Sequence, residues 1–219
     1  LAGGIAHEFN NILAGILGYV EIAQDEAPAD SPVRDRVAEI GKLCVRGRDL
    51  VKQILSFSHK GKPEWKAVRP NVLIRDELRV LRAAIPANIE IQADIDDRPA
   101  MVMGDATPLQ QIGMNLCMNA AHAMREKGGV LTIGLSNVSL DEETVKMFED
   151  IQPGRYVQLT VGDTGSGIDP GIIGRIFEPF FTTKEVGQGT GMGLAMVHGI
   201  IKNHGGAISV ASRPGQGST

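Results

Sequence analysis

Apolar residues recur at spacings of three and four from the start of the chain. Ile5, Phe9, Ile12, Leu13, Ile16, Val20 and Ala23 predict one amphipathic helix over residues 1–27. The stretch Ala27-Pro28-Ala29-Asp30-Ser31-Pro32 interrupts the pattern, because each proline disfavours helix in the residue before it. Ser31 is placed to cap a second helix, with Pro32 at its first position. That helix, residues 33–59, carries Val37, Ile40, Leu43, Cys44, Leu50, Val51, Ile54, Leu55 and Ser58 on one side. The first helix bears acidic charges (Glu8, Glu21, Asp25, Glu26) and the second leans basic (Arg34, Arg36, Lys42, Arg46, Arg48, Lys52). Opposite charge across a short loop predicts an antiparallel hairpin. A hairpin of this size leaves its apolar stripe half covered, so pairing two copies into a four-helix bundle is expected, which makes the chain a homodimer.

Residues 60–66 (KGKPEWK) are polar and contain Gly61 and Pro63. They divide the chain into a helical unit over 1–62, a linker over 63–69 and a second unit over 70–219. In the second unit helical and alternating patterns intermix. Helices are expected near 71–84, 105–125 and 191–204, and strands near 88–94, 99–103, 129–137, 155–163 and 206–212. The fold class is therefore a helical hairpin followed by an α/β sandwich with helices laid on a sheet.

Composition narrows the function classes. The 219 residues are 42% hydrophobic and 22% charged, which excludes disorder for most of the chain. A net charge of −4 gives no bulk field for a nucleic acid, so phosphate chemistry would need a local site. No run reaches the roughly 18 apolar residues of a membrane span, and no secretory leader opens the sequence. Cys44 and Cys117 are far apart and read as reduced packing cysteines rather than a disulfide or zinc framework. The 27 glycines call for a separate reason.

Neither the phosphate loop G-x-x-x-x-G-K-[ST] nor the dinucleotide turn G-x-G-x-x-G occurs. His7-Glu8-Phe9-Asn10-Asn11 departs from the zinc-protease H-E-x-x-H at its last position. In the helix from Asp105, Leu109, Ile112, Leu116, Ala120 and Ala123 mark an apolar side. Gln111, Asn115, Asn119 and His122 line a neighbouring face. Asn is a mediocre helix former, so two of them one turn apart are either surface amides or oxygen ligands for a hydrated Mg²⁺ bridging phosphates. Asp163-Thr164-Gly165-Ser166-Gly167 follows a strand, giving a tight turn and a carboxylate able to accept from an exocyclic amine. Gly187-Gln188-Gly189-Thr190-Gly191-Met192-Gly193-Leu194 precedes a helix, where free amides favour anionic oxygens and a glycine stretch can fold as a lid. Lys184 is near enough in sequence to add a point charge.

Asn115-Leu-Cys-Met-Asn119-Ala, the DTGSGI segment, the run from Phe177 to Lys184 and GQGTGMGL resemble, in order and spacing, the N, G1, F and G2 boxes of sensor histidine kinases. His7 to Asn11 resembles the family's H box in its HEFNN form, seen in nitrogen-regulator-type and hybrid kinases. The resemblance covers nearly the whole chain and implies a dimerization and histidine phosphotransfer hairpin. After it would come an ATP-binding domain of the Bergerat type shared with DNA gyrase, Hsp90 and MutL.

By that resemblance His7 is the phosphoacceptor, Glu8 orients its ring and helps take up its proton, and Asn11 orients a water that hydrolyses a phosphorylated receiver. Asn119 is the Mg²⁺ ligand, Asn115 stands at the phosphate side, and Asp163 meets the adenine amino group with Gly165 and Gly167 beside it. Gly187, Gly189, Thr190, Gly191, Gly193 and Leu194 form the lid and phosphate cradle, with Lys184 adding charge. Phe177, Phe180 and Phe181 are expected to be core packing that anchors the lid. His122 falls where many relatives carry a phosphate-reaching Lys, so a phosphate contact and a structural role both stay open for it.

Ala14, Gly15 and Gly18 leave the surface below His7 almost without side chains, either for close packing of the hairpin itself or for a partner helix. The resemblance names that partner as the receiver domain of a response regulator. The cofactors implied are ATP and Mg²⁺, and the partners are a second copy and a receiver, with no nucleic acid and no membrane contact. Relatives begin their first helix earlier and continue after GxGT, so the chain reads as a trimmed cytoplasmic core whose last strand is absent. The alternative is a scaffold that binds a receiver without turnover, against which His7, Glu8, Asn119, Asp163 and the glycine lid argue. A Bergerat ATPase performing conformational work would leave the H-box hairpin without a purpose.

Overall fold

The computed structural model describes residues 2–28, 30–58, 64–97, 101–148, 151–184 and 189–219, apart from the side chains of 2–7, 9–10, 46 and 49–58. Two compact units result: Leu1–Lys62 with Lys184–Thr190, and Pro63–Thr183 with Gly191–Thr219.

The hairpin of the first unit consists of α1 (Ala2–Glu26) and α2 (Pro32–Ser58). Ser31 caps α2 as expected, its Oγ accepting from the Val33 amide at 3.2 Å. The helices meet through small residues: a Cβ on Gly41 would stand 3.1 Å from Val20 Cγ1, and one on Gly47 3.4 Å from Leu13 Cδ2. Pairing early residues of α1 with late residues of α2 makes the hairpin antiparallel. Val20 and Cys44 are its buried centre, while Ile12, Ile16, Ile22, Ile40 and Leu43 remain exposed.

The second unit opens earlier than the linker expectation of 63–69 allows. Lys66–Val68 form β1, antiparallel to β3 (Val102–Gly104). Between them lie α3 (Pro70–Ala84), begun by Pro70 in its first turn, and β2 (Ile89–Ile95). Asp105 caps α4 (Ala106–Ala123) by accepting from the Thr107 amide at 3.1 Å. The long strand β4 (Gly129–Leu140) runs parallel to β2 and antiparallel to β5 (Gly154–Asp163), in register from Leu131 against Asp163 to Leu140 against Gly154. A short helix α5 (Glu142–Val145) joins β4 to β5, and α6 (Gly193–Asn203) follows the glycine-rich region. The five-stranded sheet closes with β6 (Ser212–Arg213) and β7 (Gly217–Ser218), in the order β2-β4-β5-β7-β6.

One strand expectation is narrowed. Of the segment 206–212 only Ser212 lies in β6, and Ala211 exchanges two backbone hydrogen bonds with Thr219. Ser218 of β7 pairs with Asp163.

On β4, Leu131, Ile133 and Leu135 are buried while Thr132 and Ser136 are exposed, so one face of the sheet is covered. Helix α4 packs between α3 and α6 and touches β5. The core beneath it joins Ile74 and Leu81 of α3, Cys117, Ala120 and Ala121 of α4, Ile89 of β2, and Leu131 and Ile133 of β4. The apolar side expected of α4 is accordingly shifted. Ile112 and Ala120 are buried, but Gly113, Cys117 and Ala121 share that burial in place of Leu109, Leu116 and Ala123.

Candidate functional site

On α1, His7 occupies a helical position whose side chain lies outside the described residues, and Glu8 and Asn11 are exposed. A Cβ on Gly15 or Gly18 would meet nothing within 4 Å, so the helix surface beyond Asn11 is bare.

In the second unit α4 brings Asn115 and Asn119 to the beginning of α6. The Asn115 amide nitrogen donates to the Gln111 carbonyl at 2.8 Å and approaches Met196 Sδ at 3.9 Å, which turns its Oδ1 toward Gly193. A Cβ on Gly193 would lie 3.0 Å from that oxygen and 3.7 Å from Asn119 Nδ2. Glycine at the first position of α6 therefore lets the helix start come close to the two amides. No side-chain hydrogen bond caps this end of α6, and the first amides of a helix have no intrahelical partner and favour anions.

The other wall is built from the end of β5. Asp163 is half-buried, and its Oδ1 accepts from the Gly165 amide at 2.8 Å. Burial raises its carboxyl above the usual carboxylate range, opposed by hydrogen bonds from the Gly165 and Ser218 amides. A carboxylate can accept about four hydrogen bonds, so Asp163 retains capacity for a ligand donor.

The loop after Asp163 is clamped from two sides. Toward α4, the Ser166 amide donates to the Ala123 carbonyl at 3.2 Å, and Thr164 Oγ1 accepts from the Val130 amide at 2.9 Å. Toward the β6–β7 turn, the Gly215 amide donates to the Ser166 carbonyl at 2.7 Å. Gly167 has φ +68°, and a Cβ there would fall 2.1 Å from the Arg213 carbonyl oxygen, so both conformation and space require glycine. Through this clamp Asp163 and Asn119 are fixed relative to each other.

The F-box region meets the same end of α6. Gly191 has φ +66°, and its Cβ would stand 2.4 Å from the Phe180 carbonyl carbon. Phe180 itself has φ +68° and is 65% exposed, so the core role expected for it is wrong: a backbone turned to seat Gly191 points the ring outward. Phe177 stacks on His198 with ring centroids 5.3 Å apart, and Arg175 lies over Phe181 at 4.5 Å; both rings are partly buried and stand outside the core cluster.

Thus the second unit by itself assembles Asn115, Asn119, Asp163, Gly165, Gly167, Gly191, Gly193 and Leu194. Lys184, Gly189 and Thr190 fall in the segment grouped with the first unit, and Gly187 lies outside the described residues. Lys184 is half-buried, and burial lowers its ammonium pKa. Sequence reasoning missed Met196, Thr164 and the residues 212–218 that buttress the loop. Only the alternation around Ser212 hinted at the last of these.

Residues 104–219 match the family described as histidine kinase-, DNA gyrase B-, and HSP90-like ATPase, and residues 1–63 match the His Kinase A (phospho-acceptor) domain. The chain is 38% identical over its whole length to the sensor kinase CckA of Brucella abortus (strain 2308), of which it spans 23%. It is 32% identical to the sensor histidine kinase ZraS of Escherichia coli (strain K12), of which it spans 43%. Among solved structures, full-length ShkA in complex with AMPPNP aligns with 99% of this chain and 43% of its own, at TM-score 0.71 and 26% identity. The histidine kinase ThkA in complex with the response regulator TrrA aligns at TM-score 0.63 and 24% identity, over 99% of this chain and 58% of that one, a likeness of fold.

Proposed function

The chain belongs to the histidine kinase-, DNA gyrase B- and HSP90-like ATPases and carries a His Kinase A phospho-acceptor domain ahead of that module. From this premise we propose that it is the cytoplasmic core of a dimeric sensor histidine kinase of the HEFNN subgroup. It uses Mg·ATP to phosphorylate His7 and passes the group to an aspartate of a receiver domain. The observation that supports the reading is the close approach of Asn115 and Asn119 to the start of α6 at Gly193, where no side-chain hydrogen bond caps the helix. An amide oxygen and helix-start amides are the groups that a hydrated cation and a phosphate chain take.

Asp163 accepts from the adenine amino group, held by the clamp that its flanking glycines permit. Asn119 would hold magnesium together with the nucleotide phosphates, an ion that takes oxygen ligands and supplies charge neutralisation to the transferred group. Asn115 and the α6 amides orient the phosphate chain, and Lys184, Gly187, Gly189, Thr190, Gly191 and Leu194 complete the lid.

His7 attacks the γ-phosphorus in line through a neutral ring nitrogen. A nitrogen–phosphorus bond forms as the bond to the bridging oxygen breaks and ADP leaves. Glu8, exposed beside His7 in sequence, orients the ring and assists loss of its proton. The receiver docks on the bare surface of Ala14, Gly15 and Gly18, and Asn11 directs water during dephosphorylation. The exposed Ile12, Ile16, Ile22, Ile40 and Leu43 support dimerization, since pairing two hairpins buries them. That ShkA, 26% identical to this chain, is in complex with AMPPNP supports the nucleotide reading.

The test is incubation with γ-labelled ATP and Mg²⁺. Label is expected on the protein as an acid-labile, base-stable phosphoramidate, lost in His7→Gln while nucleotide binding persists. Undiminished labelling of His7→Gln would overturn the assignment.

A further inference from the structure

Glu77 lies in the apolar stripe of α3, between Ile74 and Leu78 and one turn before Leu81. It is 6% exposed, and neither carboxylate oxygen has a hydrogen-bond partner among the described residues. Its seat is made by α4: a Cβ on Gly113 would stand 2.1 Å from Glu77 Oε2, so the absence of a side chain there lets the carboxyl lie directly on the helix. A helix-interior glycine is unfavourable by propensity, and this contact supplies a reason for it. Burial pushes the Glu77 carboxyl up to about 7.

Among the described residues no cation pairs with it. From α4 the facing titratable group is Cys117, whose thiol is pushed up to about 12 by burial and then by the charge of Glu77. Asp105 and His122 stand at the two ends of α4. The strands below present Ile89, Leu131 and Ile133. On α3 itself, Arg75 pairs with Asp97 and Arg79 with Asp76, all toward solvent.

We propose that Glu77 is a positioning residue for the nucleotide site: neutral, it lets α4 close on α3 at Gly113, and ionised, it displaces α4 together with Asn115 and Asn119. An unpaired buried carboxylate must either draw in water or move its surroundings. Helix α4 is the element against which it lies, and it carries both amides on the next two turns. Nucleotide affinity therefore falls as pH rises through neutrality. The proposal rests on the reading of Asn115 and Asn119 as nucleotide contacts.

Calorimetric titration of the full chain with AMPPNP and Mg²⁺, about one pH unit either side of the Glu77 midpoint, tests it. The wild type is expected to lose affinity by about 3- to 10-fold on the alkaline side, while Glu77→Gln holds its affinity. The analogue's own terminal phosphate titrates in the same range, but equally for both proteins, so the difference between them is the readout. Gly113→Ala, which fills the seat, weakens binding at both pH values. A wild-type pH slope unchanged in Glu77→Gln overturns the proposal. Amide exchange over residues 112–119 reads the same motion without ligand: protection corrected for intrinsic rate drops with pH in the wild type and not in Glu77→Gln. Absence of AMPPNP binding with that exchange difference intact would sink the nucleotide reading and leave the positioning role standing, whereas equal exchange in both proteins sinks the positioning role.

Discussion

Replacing Glu77 by Gln should stabilise the second unit, and only on the alkaline side of its titration. A glutamate in the unfolded chain titrates near 4.5, and burial in the folded chain moves Glu77 to about 7. The difference of about 2.5 pH units, at about 1.4 kcal/mol per unit, amounts to about 3 kcal/mol. The sign follows from which state binds more protons. Below the unfolded value both states are protonated and the site costs nothing by ionisation. Between the two values the folded state holds a proton that the unfolded state has released, so stability falls as pH rises. Above the folded value the loss is complete and constant. Glutamine keeps the shape and cannot ionise, although its amide also lacks a partner, which costs about 1 kcal/mol and brings the variant slightly below wild type in acid. On the alkaline side the two effects leave a net gain of about 2 kcal/mol, which for a unit of this size corresponds to a rise in melting temperature of about 4–8 °C. Scanning calorimetry of the full chain at about pH 5 and about pH 8, following the transition that AMPPNP shifts, measures it. A variant no more stable than wild type at the higher pH would refute the assignment of Glu77 as an ionisable group buried without compensation.

Asp163→Asn removes a charge-assisted acceptor and should weaken adenine-nucleotide binding by about 10- to 100-fold, from a contact of about 1.5–3 kcal/mol; unchanged affinity by titration calorimetry would count against its contact with the base. Gly191→Ala places a Cβ 2.4 Å from the Phe180 carbonyl carbon at φ +66°, so melting temperature and AMPPNP affinity should both drop, with a conformational cost of about 1–2 kcal/mol before any collision. Leu43→Glu puts a charge on a hairpin face where Leu43 is 60% exposed, and sedimentation should show monomers in place of dimers; an unchanged dimer would locate the interface elsewhere.

The helical hairpin was legible because its period is strong and its punctuation is local: Ser31 and Pro32 act on the next turn of chain and nothing else. The same holds for the glycines of the candidate site. Gly167 and Gly191 are required by backbone conformations that neighbouring residues cannot supply, so their spacing alone exposes the site. What failed depends on distant partners. Residues 206–211 alternate like a strand, yet a ladder needs a second edge, and of these only Ala211 exchanges backbone bonds with one, at Thr219. Lys66–Val68 read as linker because three polar-flanked residues carry no period, and only their pairing with Val102–Gly104 makes them a strand. Phe180 looked like core because aromatic residues bury area, whereas its left-handed backbone turns it outward. Glu77 was hidden by its charge. Its place at the same spacing as Ile74, Leu78 and Leu81, together with Gly113 inside a helix, was a signal available in the sequence.

The pairing of Asp163 with Ser218, and of Ser166 with Gly215, sets an order of assembly on a growing chain. Translation delivers Asn115, Asn119 and β5 long before residues 212–218, and until those emerge the turn at Asp163 has only one of its two supports. A nascent chain halted short of them would possess its helices and long strands yet hold Asp163 on a loop braced from one side. The rigidity of the turn at Asp163 is thus tied to a hairpin that is made well after the helices and long strands around it.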